Sequence, residues 1–401
     1  MQNIAELKNT VQNYAWGSLT AIPDLLGVSN PTNIPQAELW MGAHPKAPSE
    51  VQYDGQWLSL IDLIDKYPID ILGKAVAQKF SNTLPYLFKV LAAASPLSIQ
   101  AHPNLSQARD GFLRENSLEI PLNAPQRNYR DDNHKPECIC ALTPFWALCG
   151  FRKISTIVAY FNAVCPKGLK DELAALKLNS SSKGLKHFFS ILLTLDADRR
   201  QSIIDEAVSN VGKREREDAT YEWIMKLSDA YPHDIGILSP LLLNLLCLEP
   251  GQAIFLGAGQ LHAYLGGVGI ELMANSDNVL RGGLTPKHVD VSELLKVLHF
   301  DEYEVNCIEP DKNNNCEWVY ACPAKEFALS VITLPENKSY FRLYGKSVEI
   351  LLCTAGTAEL MDMDRRDILS LTKGMSIIIP AAVKRYKIEG QATFYKATVP
   401  V

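Results

Sequence analysis

The chain predicts a mainly β protein interrupted by an α-helical insertion, and three observations carry that reading. From Trp16 to Phe151, short apolar runs are broken by Pro and Gly, the texture of strands joined by loops. From Ile154 to about Leu246, apolar residues recur at helical spacing, as in Ile154, Ile157, Val158, Phe161 and Val164. Strand texture returns at Gly251, and a last β-rich block runs from Glu304 to Val401. The expected units are therefore a discontinuous one (1–151 and 247–303), a helical one (152–246) and a C-terminal one (304–401).

Within the first block the best strand candidates are Leu84–Leu91, Pro96–His102 and Glu137–Leu142. The insertion reads as further helical pieces at Leu169–Leu176, Leu185–Leu195, Arg199–Val211 and Thr220–Ala230. They are separated by the polar linkers 179–184 and 212–218. The charge run 213–218 is a solvated loop or face. In the last block, Phe327–Leu334, Ser347–Cys353, Ser376–Ile379 and Ala392–Thr398 read as strands. A weak internal repeat aligns Leu248–His262 with Leu371–Arg385. Each copy has a Gly, an apolar strand and a small-residue turn, and His262 falls opposite Arg385. No histidine follows His299, so a C-terminal copy of the first unit would lack imidazole ligands.

At 401 residues, two or three domains are expected. A net charge of −6 argues against a general nucleic-acid binder, but not against a local basic pocket. The N-terminus has no basic stretch leading into an apolar one, and the most apolar run, Ile237 to Leu248, is too short to span a bilayer. Nine scattered cysteines without CxxC spacing fit reduced thiols in a cytosol, with Cys138 and Cys140 as small core residues. A cytoplasmic protein is expected, with no membrane and no nucleic-acid partner.

Chemistry concentrates in three segments. Gln100 and His102 lie two apart in a candidate strand, so both side chains leave the same face. Glu137 opens an apolar strand, a costly place for a carboxylate unless it is paired or ligated. His262 follows Gly257-Ala258-Gly259, a loop that brings backbone in close. Two imidazoles, a carboxylate and an amide oxygen suit Zn²⁺ better than Ca²⁺ or an Fe–S cluster. Such an ion keeps net positive charge and can stabilise negative charge on a substrate oxygen. The segment Gly269–Lys287 reads as a structured loop rather than a strand, and in it Arg281 stands beside two glycines, free to approach an anion. Lys89, Lys135 and Lys287 add positive charge, while Asp131 and Asp277 read as loop holders. A metal beside this many Lys, His, Glu and Arg side chains points to an enzyme doing polar chemistry on a small substrate.

Five strings carry a resemblance: Tyr14-Ala15-Trp16-Gly17-Ser18, Glu38-Leu39-Trp40-Met41-Gly42-Ala43-His44-Pro45, Gln100-Ala101-His102-Pro103, Asn133-His134-Lys135-Pro136-Glu137 and Ser276–Lys287. Through them the chain resembles the type I mannose-6-phosphate isomerases over essentially its whole length. The resemblance implies a cupin (jelly-roll β-barrel) catalytic domain, a helical domain and a second, degenerate cupin domain without a metal site. It also implies one Zn²⁺ per chain, held by Gln100, His102, Glu137 and His262.

The implied reaction interconverts mannose 6-phosphate and fructose 6-phosphate through a cis-enediol. It serves carbohydrate metabolism, where GDP-mannose biosynthesis and mannose breakdown run the same step in opposite directions. Arg281 is then expected to stabilise the anionic intermediate. Lys135, His134 and Glu271 all have groups suited to proton transfer, with Lys135 and Glu271 first in line. Ser98, Lys89, Lys287, Tyr264 and Trp16 are the expected substrate contacts. The partner is a small-molecule sugar phosphate, and a monomer is expected. Two other classes stay open at this point. One is a metal-dependent cupin oxygenase, since two His and a carboxylate also describe an Fe(II) site. The other is a catalytically inactive sugar-phosphate-binding cupin.

Overall fold

The computed structural model describes residues 1–165, 167–314 and 316–401. Strand content (33%) exceeds helix content (29%), as a β protein with a helical insertion requires. The first sheet is antiparallel and ten-stranded, with Leu243–Leu248, Phe145–Phe151, His262–Ala274, Tyr86–Ala93, Glu38–Gly42 and Thr10–Gln12 in that order. Ile99–Ala101, Glu137–Ala141, Ala253–Leu256 and Leu280–Gly283 branch from it.

One strand organises this barrel. The first half of His262–Ala274 pairs with Phe145–Phe151 and with Gln100. Its second half pairs with Tyr86–Ala93 on one side and Glu137–Ala141 on the other. The change of partners falls at Gly267, whose φ is 122° and where a Cβ would lie 2.6 Å from the Pro144 carbonyl oxygen. Only glycine fits there.

The second sheet has eleven strands and is built around Arg385–Thr398 and Glu349–Asp362. Ala5–Lys8, Glu50–Tyr53 and Gln56–Ser59 extend it through Ser376–Ile379, so the N-terminal segment contributes to both sheets. The repeat seen in the sequence is a repeat of structure. Ala253–Leu256 and Ser376–Ile379 are both short strands preceded by a left-handed glycine, Gly251 (φ 92°) or Gly374 (φ 91°), and His262 and Arg385 each open a long strand.

The insertion is helical as expected, with helices Ile154–Val164, Lys170–Leu178, Ser182–Thr194, Ala197–Val211 and Ala219–Ala230. Their apolar stripes, including Phe161, Phe188, Ile203 and Ile224, pack as one core onto Ile99, Ala101 and Leu148 of the barrel. A second core joins the two sheets, with Leu39, Phe88, Cys138 and Cys140 against Leu329, Ile350 and Leu352. Cys138 and Cys140 are thus buried core residues, and all nine cysteines are free.

Two readings need correction. The first block is not only strands and loops: it holds the helices Ala21–Leu26, Leu60–Lys66, Pro68–Leu72, Lys74–Lys79 and Leu105–Ser117. Gly269–Lys287 is not a loop throughout, since Gly269–Ala274 completes the long strand and Leu280–Gly283 is a strand of its own. Alternation was hidden there because Ile270 and Leu272 face one core while Glu271 and Met273 face a polar cavity.

Candidate active site

A cavity of about 540 Å³ opens on the inner face of the first barrel. Sheet register decides who lines it. Glu271 is the cross-strand partner of Lys89, and Lys89 in turn of Trp40, so their side chains share one face. Gln100 is the partner of both His262 and Arg281 on its two sides, which sets amide, imidazole and guanidinium in one row. Glu137 lies opposite Met273, two residues along the same face from Glu271.

Glu137 lines this cavity, and its ligand atom lies within 4.8 Å of those of His102 and His262, all three residues being buried. His102 Nε2 is 3.3 Å from Glu137 Oε1, and His262 Nε2 is 3.4 Å from Glu137 Oε2. Each imidazole is fixed through its other nitrogen: Nδ1 of His102 is 2.7 Å from the Asn278 carbonyl oxygen, and Nδ1 of His262 is 3.0 Å from that of Gln260. The carbonyls can only accept, so each Nδ1 donates and each Nε2 presents a lone pair. His102 Nε2, His262 Nε2 and Glu137 Oε2 are buried without a hydrogen-bond partner. A divalent cation satisfies all three at once, and two imidazoles with one carboxylate form a zinc donor set. Burial holds the His102 ring neutral, with its pKa lowered to about 4. Burial alone would raise the Glu137 carboxyl, but Lys135 and His102 keep it well below the ordinary range. Gln100 is half-buried on the cavity wall next to His262, placed to add its amide oxygen. Lys135 Nζ lies 3.1 Å from Glu137 Oε1, on the substrate side.

A buried ionic cluster forms one wall. Lys89 Nζ is 2.9 Å from Glu271 Oε2 and 3.6 Å from Glu38 Oε1, over the Trp40 ring. Burial alone would lower the Lys89 ammonium, yet the two carboxylates raise it, while burial raises Glu271 despite Lys89. The Tyr264 hydroxyl is buried and unpartnered at the cavity wall.

A cationic group lines the same cavity. Arg281, Arg130 and Lys287 line the cavity, and no carboxylate pairs with any of them among the described residues. Burial lowers Arg281, with Arg130 adding to it, and Lys287 is lowered by burial and then by both arginines. Three mutually repelling cations facing one cavity form an anion site. Ser98 and Trp16 also line the cavity.

The structure moves two residues relative to expectation. His134 is outside the cavity lining: its ring bonds Glu326 of the C-terminal sheet region at 2.9 Å. Asp131 holds its loop as expected, accepting from Asn133, Ser276 and Asp277. Asp277, however, faces the cavity and pairs with Lys46 at 2.8 Å and His44 at 3.7 Å. Arg130, Glu38, Trp40, His44 and Lys46 were not singled out from the sequence, although three of them stand in the Glu38–Pro45 string.

Comparison with known proteins agrees with this geometry. Three family models match: the type I phosphomannose isomerase catalytic domain over 4–154, its helical insertion domain over 168–243, and the mannose-6-phosphate isomerase cupin domain over 320–399. The mannose-6-phosphate isomerase of Escherichia coli K12 is 42% identical over 388 residues, 96% of this chain and 97% of that protein. The human mannose-6-phosphate isomerase is 33% identical over 94% of this chain and 93% of its own. The chain belongs to the type I mannose-6-phosphate isomerase family. Among solved structures, a zinc-bound mannose 6-phosphate isomerase shares the fold, with TM-score 0.91 and 39% identity over 99% of this chain and 100% of that one. A single-residue variant of the Salmonella typhimurium phosphomannose isomerase matches at TM-score 0.92, also with 39% identity. Like its family, the chain is a mainly β cupin enzyme with a helical insertion, and zinc is the cofactor its buried triad fits. Among the described residues no helix is long and apolar enough to cross a membrane.

Proposed function

We propose that the chain interconverts D-mannose 6-phosphate and D-fructose 6-phosphate through a cis-enediol, using the following division of labour. The observation that carries it is one cavity lined by Glu137 of the buried metal triad, by the unpaired cations Arg130, Arg281 and Lys287, and by the buried Lys89–Glu271 pair. Gln100, His102, Glu137 and His262 hold zinc, which supplies positive charge for a substrate oxygen.

Lys287 and Arg130 bind the phosphate, with Ser98 and Trp16 bordering the sugar. Arg281, in register with Gln100, stabilises the oxygen that becomes negative in the enediolate. Lys135 and Glu271 move the proton between C1 and C2. Lys135 stands at the triad, and Glu271 is fixed by Lys89, with its carboxyl raised by burial. Tyr264 lines the wall between them. Holding the phosphate at one end fixes C1 and C2 at the other, so binding energy is converted into orientation. The same arrangement favours the isomerase over an oxygenase, which needs no phosphate clamp.

A coupled assay for fructose 6-phosphate formed from mannose 6-phosphate tests the reading. Activity should vanish on chelation and return with Zn²⁺. Arg281→Ala should lower kcat by orders of magnitude with zinc content unchanged. A rise in KM alone would reassign Arg281 to phosphate binding.

A further inference from the structure

We propose that Asp234, on the helical insertion, is a positioning residue that holds the loop 283–287 in its anion-binding form. The inference rests on the reading of Arg130 and Lys287 as the phosphate site. Lys287 and Arg281 flank a short segment, Gly282–Pro286, that separates two cavities. Thr285 and Pro286 line the catalytic cavity, and with Gly282 and Gly283 they also line a second one of about 660 Å³ behind the loop. The loop is anchored in the core by Leu284, while Thr285 and Pro286 have open space on both sides.

Its backbone is also unusual. Leu284 is a buried non-glycine residue at φ 53°, and Gly283 stands at φ 135°. A left-handed leucine persists only where neighbours over-determine it. The polar neighbour is Asp234, one carboxylate oxygen bonding the loop and the other fixing the carboxylate on its own turn. Oδ2 accepts the Thr285 N–H at 3.1 Å, and Oδ1 accepts the Gly236 N–H at 2.7 Å. Thr285 Oγ1 in turn accepts the Lys287 N–H at 3.1 Å, so the contact is relayed to the cation.

The approach is backbone to backbone. A Cβ on Gly236 would sit 2.9 Å from the Leu284 nitrogen, and one on Gly283 would sit 3.0 Å from Asp234 Oδ1. Three residues before Asp234, Tyr231 lines the catalytic cavity and donates its hydroxyl to the Pro96 carbonyl at 2.9 Å, tying the same turn to the segment leading into Ser98. Asp234 itself does not line the catalytic cavity. It acts on the substrate through the loop, and this gives the helical insertion a part in the reaction.

The experiment uses the zinc-loaded full chain with Asp234→Asn and, independently, Gly236→Ala, which wedges the same contact without removing charge. Both should raise KM for mannose 6-phosphate about 10-fold, the scale of one lost charge-assisted hydrogen bond. Both should weaken competitive inhibition by inorganic phosphate by the same factor, with a smaller change in kcat and unchanged zinc content. Lys287→Met serves as the reference. If it raises KM while both test variants, folded and zinc-loaded, leave KM and phosphate inhibition unchanged, the role of Asp234 is refuted and the phosphate site stands. If Lys287→Met changes neither quantity, the phosphate site falls and the inference falls with it.

Discussion

Lys396→Met tests how the second barrel lives without a metal. Lys396, Glu317 and Glu349 are almost wholly buried there. The Lys396 ammonium pairs with Glu317 and lies 3.8 Å from Glu349. Arg342 Nε, at 2.9 Å, and the Tyr386 hydroxyl, at 2.6 Å, serve Glu349 independently. Glu317 otherwise has the Ser330 and Tyr340 hydroxyls, at 2.9 and 3.2 Å, and the amides of Asn313 and Asn314. Methionine keeps the length of the side chain but leaves Glu317 without a cation. Breaking a buried pair costs about 3–5 kcal/mol. Glu317 can limit that loss by taking up a proton, which at pH 7 costs at most about 3.7 kcal/mol for an ordinary carboxyl. The deficit should therefore be about 3–4 kcal/mol, or roughly 15–25 °C in the melting of a unit of about 100 residues.

The pH dependence has a definite sign. Burial would raise Glu317, but Lys396 and the polar neighbours hold it below its ordinary value. Its contribution to stability is then present above the ordinary carboxylate range and lost as pH falls through the depressed value. Lys396 is raised by Glu349, Tyr340 and Glu317 against the effect of burial, so its contribution is complete below the ordinary lysine range. In the variant Glu317 folds protonated, and that cost shrinks by up to about 1.4 kcal/mol per pH unit on acidification. Denaturation of native and variant protein at pH 7 and 5.5 should show the deficit narrowing by about 2 kcal/mol. A deficit that does not change with pH would mean that only packing was lost, and would refute the electrostatic account.

Two further outcomes bear on the catalytic barrel. His102→Ala and His262→Ala should each release zinc and abolish turnover, read by metal analysis beside the coupled assay; full turnover in either would remove that residue from the ligand set. Lys89→Met should leave zinc in place but strip Glu271 of its cation, raising a carboxyl that burial already raises. If Glu271 must be ionised to accept the proton, the acidic limb of the kcat/KM profile then moves to higher pH, and an unmoved limb would exclude it as the base.

What was legible in the sequence follows from which signals are local. The insertion was readable because Ile157, Phe161, Val164 and their successors repeat at helical period and bury one stripe each. Gln100, His102, Glu137 and His262 were readable because their chemistry is unusual for apolar strands, and the structure brings the two histidines and the glutamate together. The helix Leu105–Ser117 escaped because it buries only Ala108, Gly111 and Glu115 and so shows no apolar stripe. Its capping box, Asn104 with Gln107, was the available signal. Arg130, Trp40 and Glu38 escaped for another reason. Nothing in their own segments says what they face: the register of Glu38–Gly42 on Tyr86–Ala93 decides it for Glu38 and Trp40, and Arg130 sits in a loop held by Asn278, whose Oδ1 accepts its N–H at 2.7 Å.

The repeat carries the argument one step further. Glu137 lies opposite Leu256, and Glu349 lies opposite Ile379, the residue that the repeat aligns with Leu256. Each barrel therefore buries a carboxylate at the same place in its ladder, and each must compensate it. The first does so with Lys135 on Oε1 and with two imidazoles, yet both Nε2 lone pairs and Glu137 Oε2 remain unsatisfied. That arrangement is complete only with an external cation. The second uses Arg342, Lys396 and the Tyr386 hydroxyl, cations and a donor supplied by the chain itself, and among the described residues no unpartnered polar atom remains on Glu349. With every group on Glu349 partnered from within, a metal has nothing to satisfy there, so the chain's need for zinc is confined to the barrel whose two imidazoles and one carboxylate oxygen are left without partners.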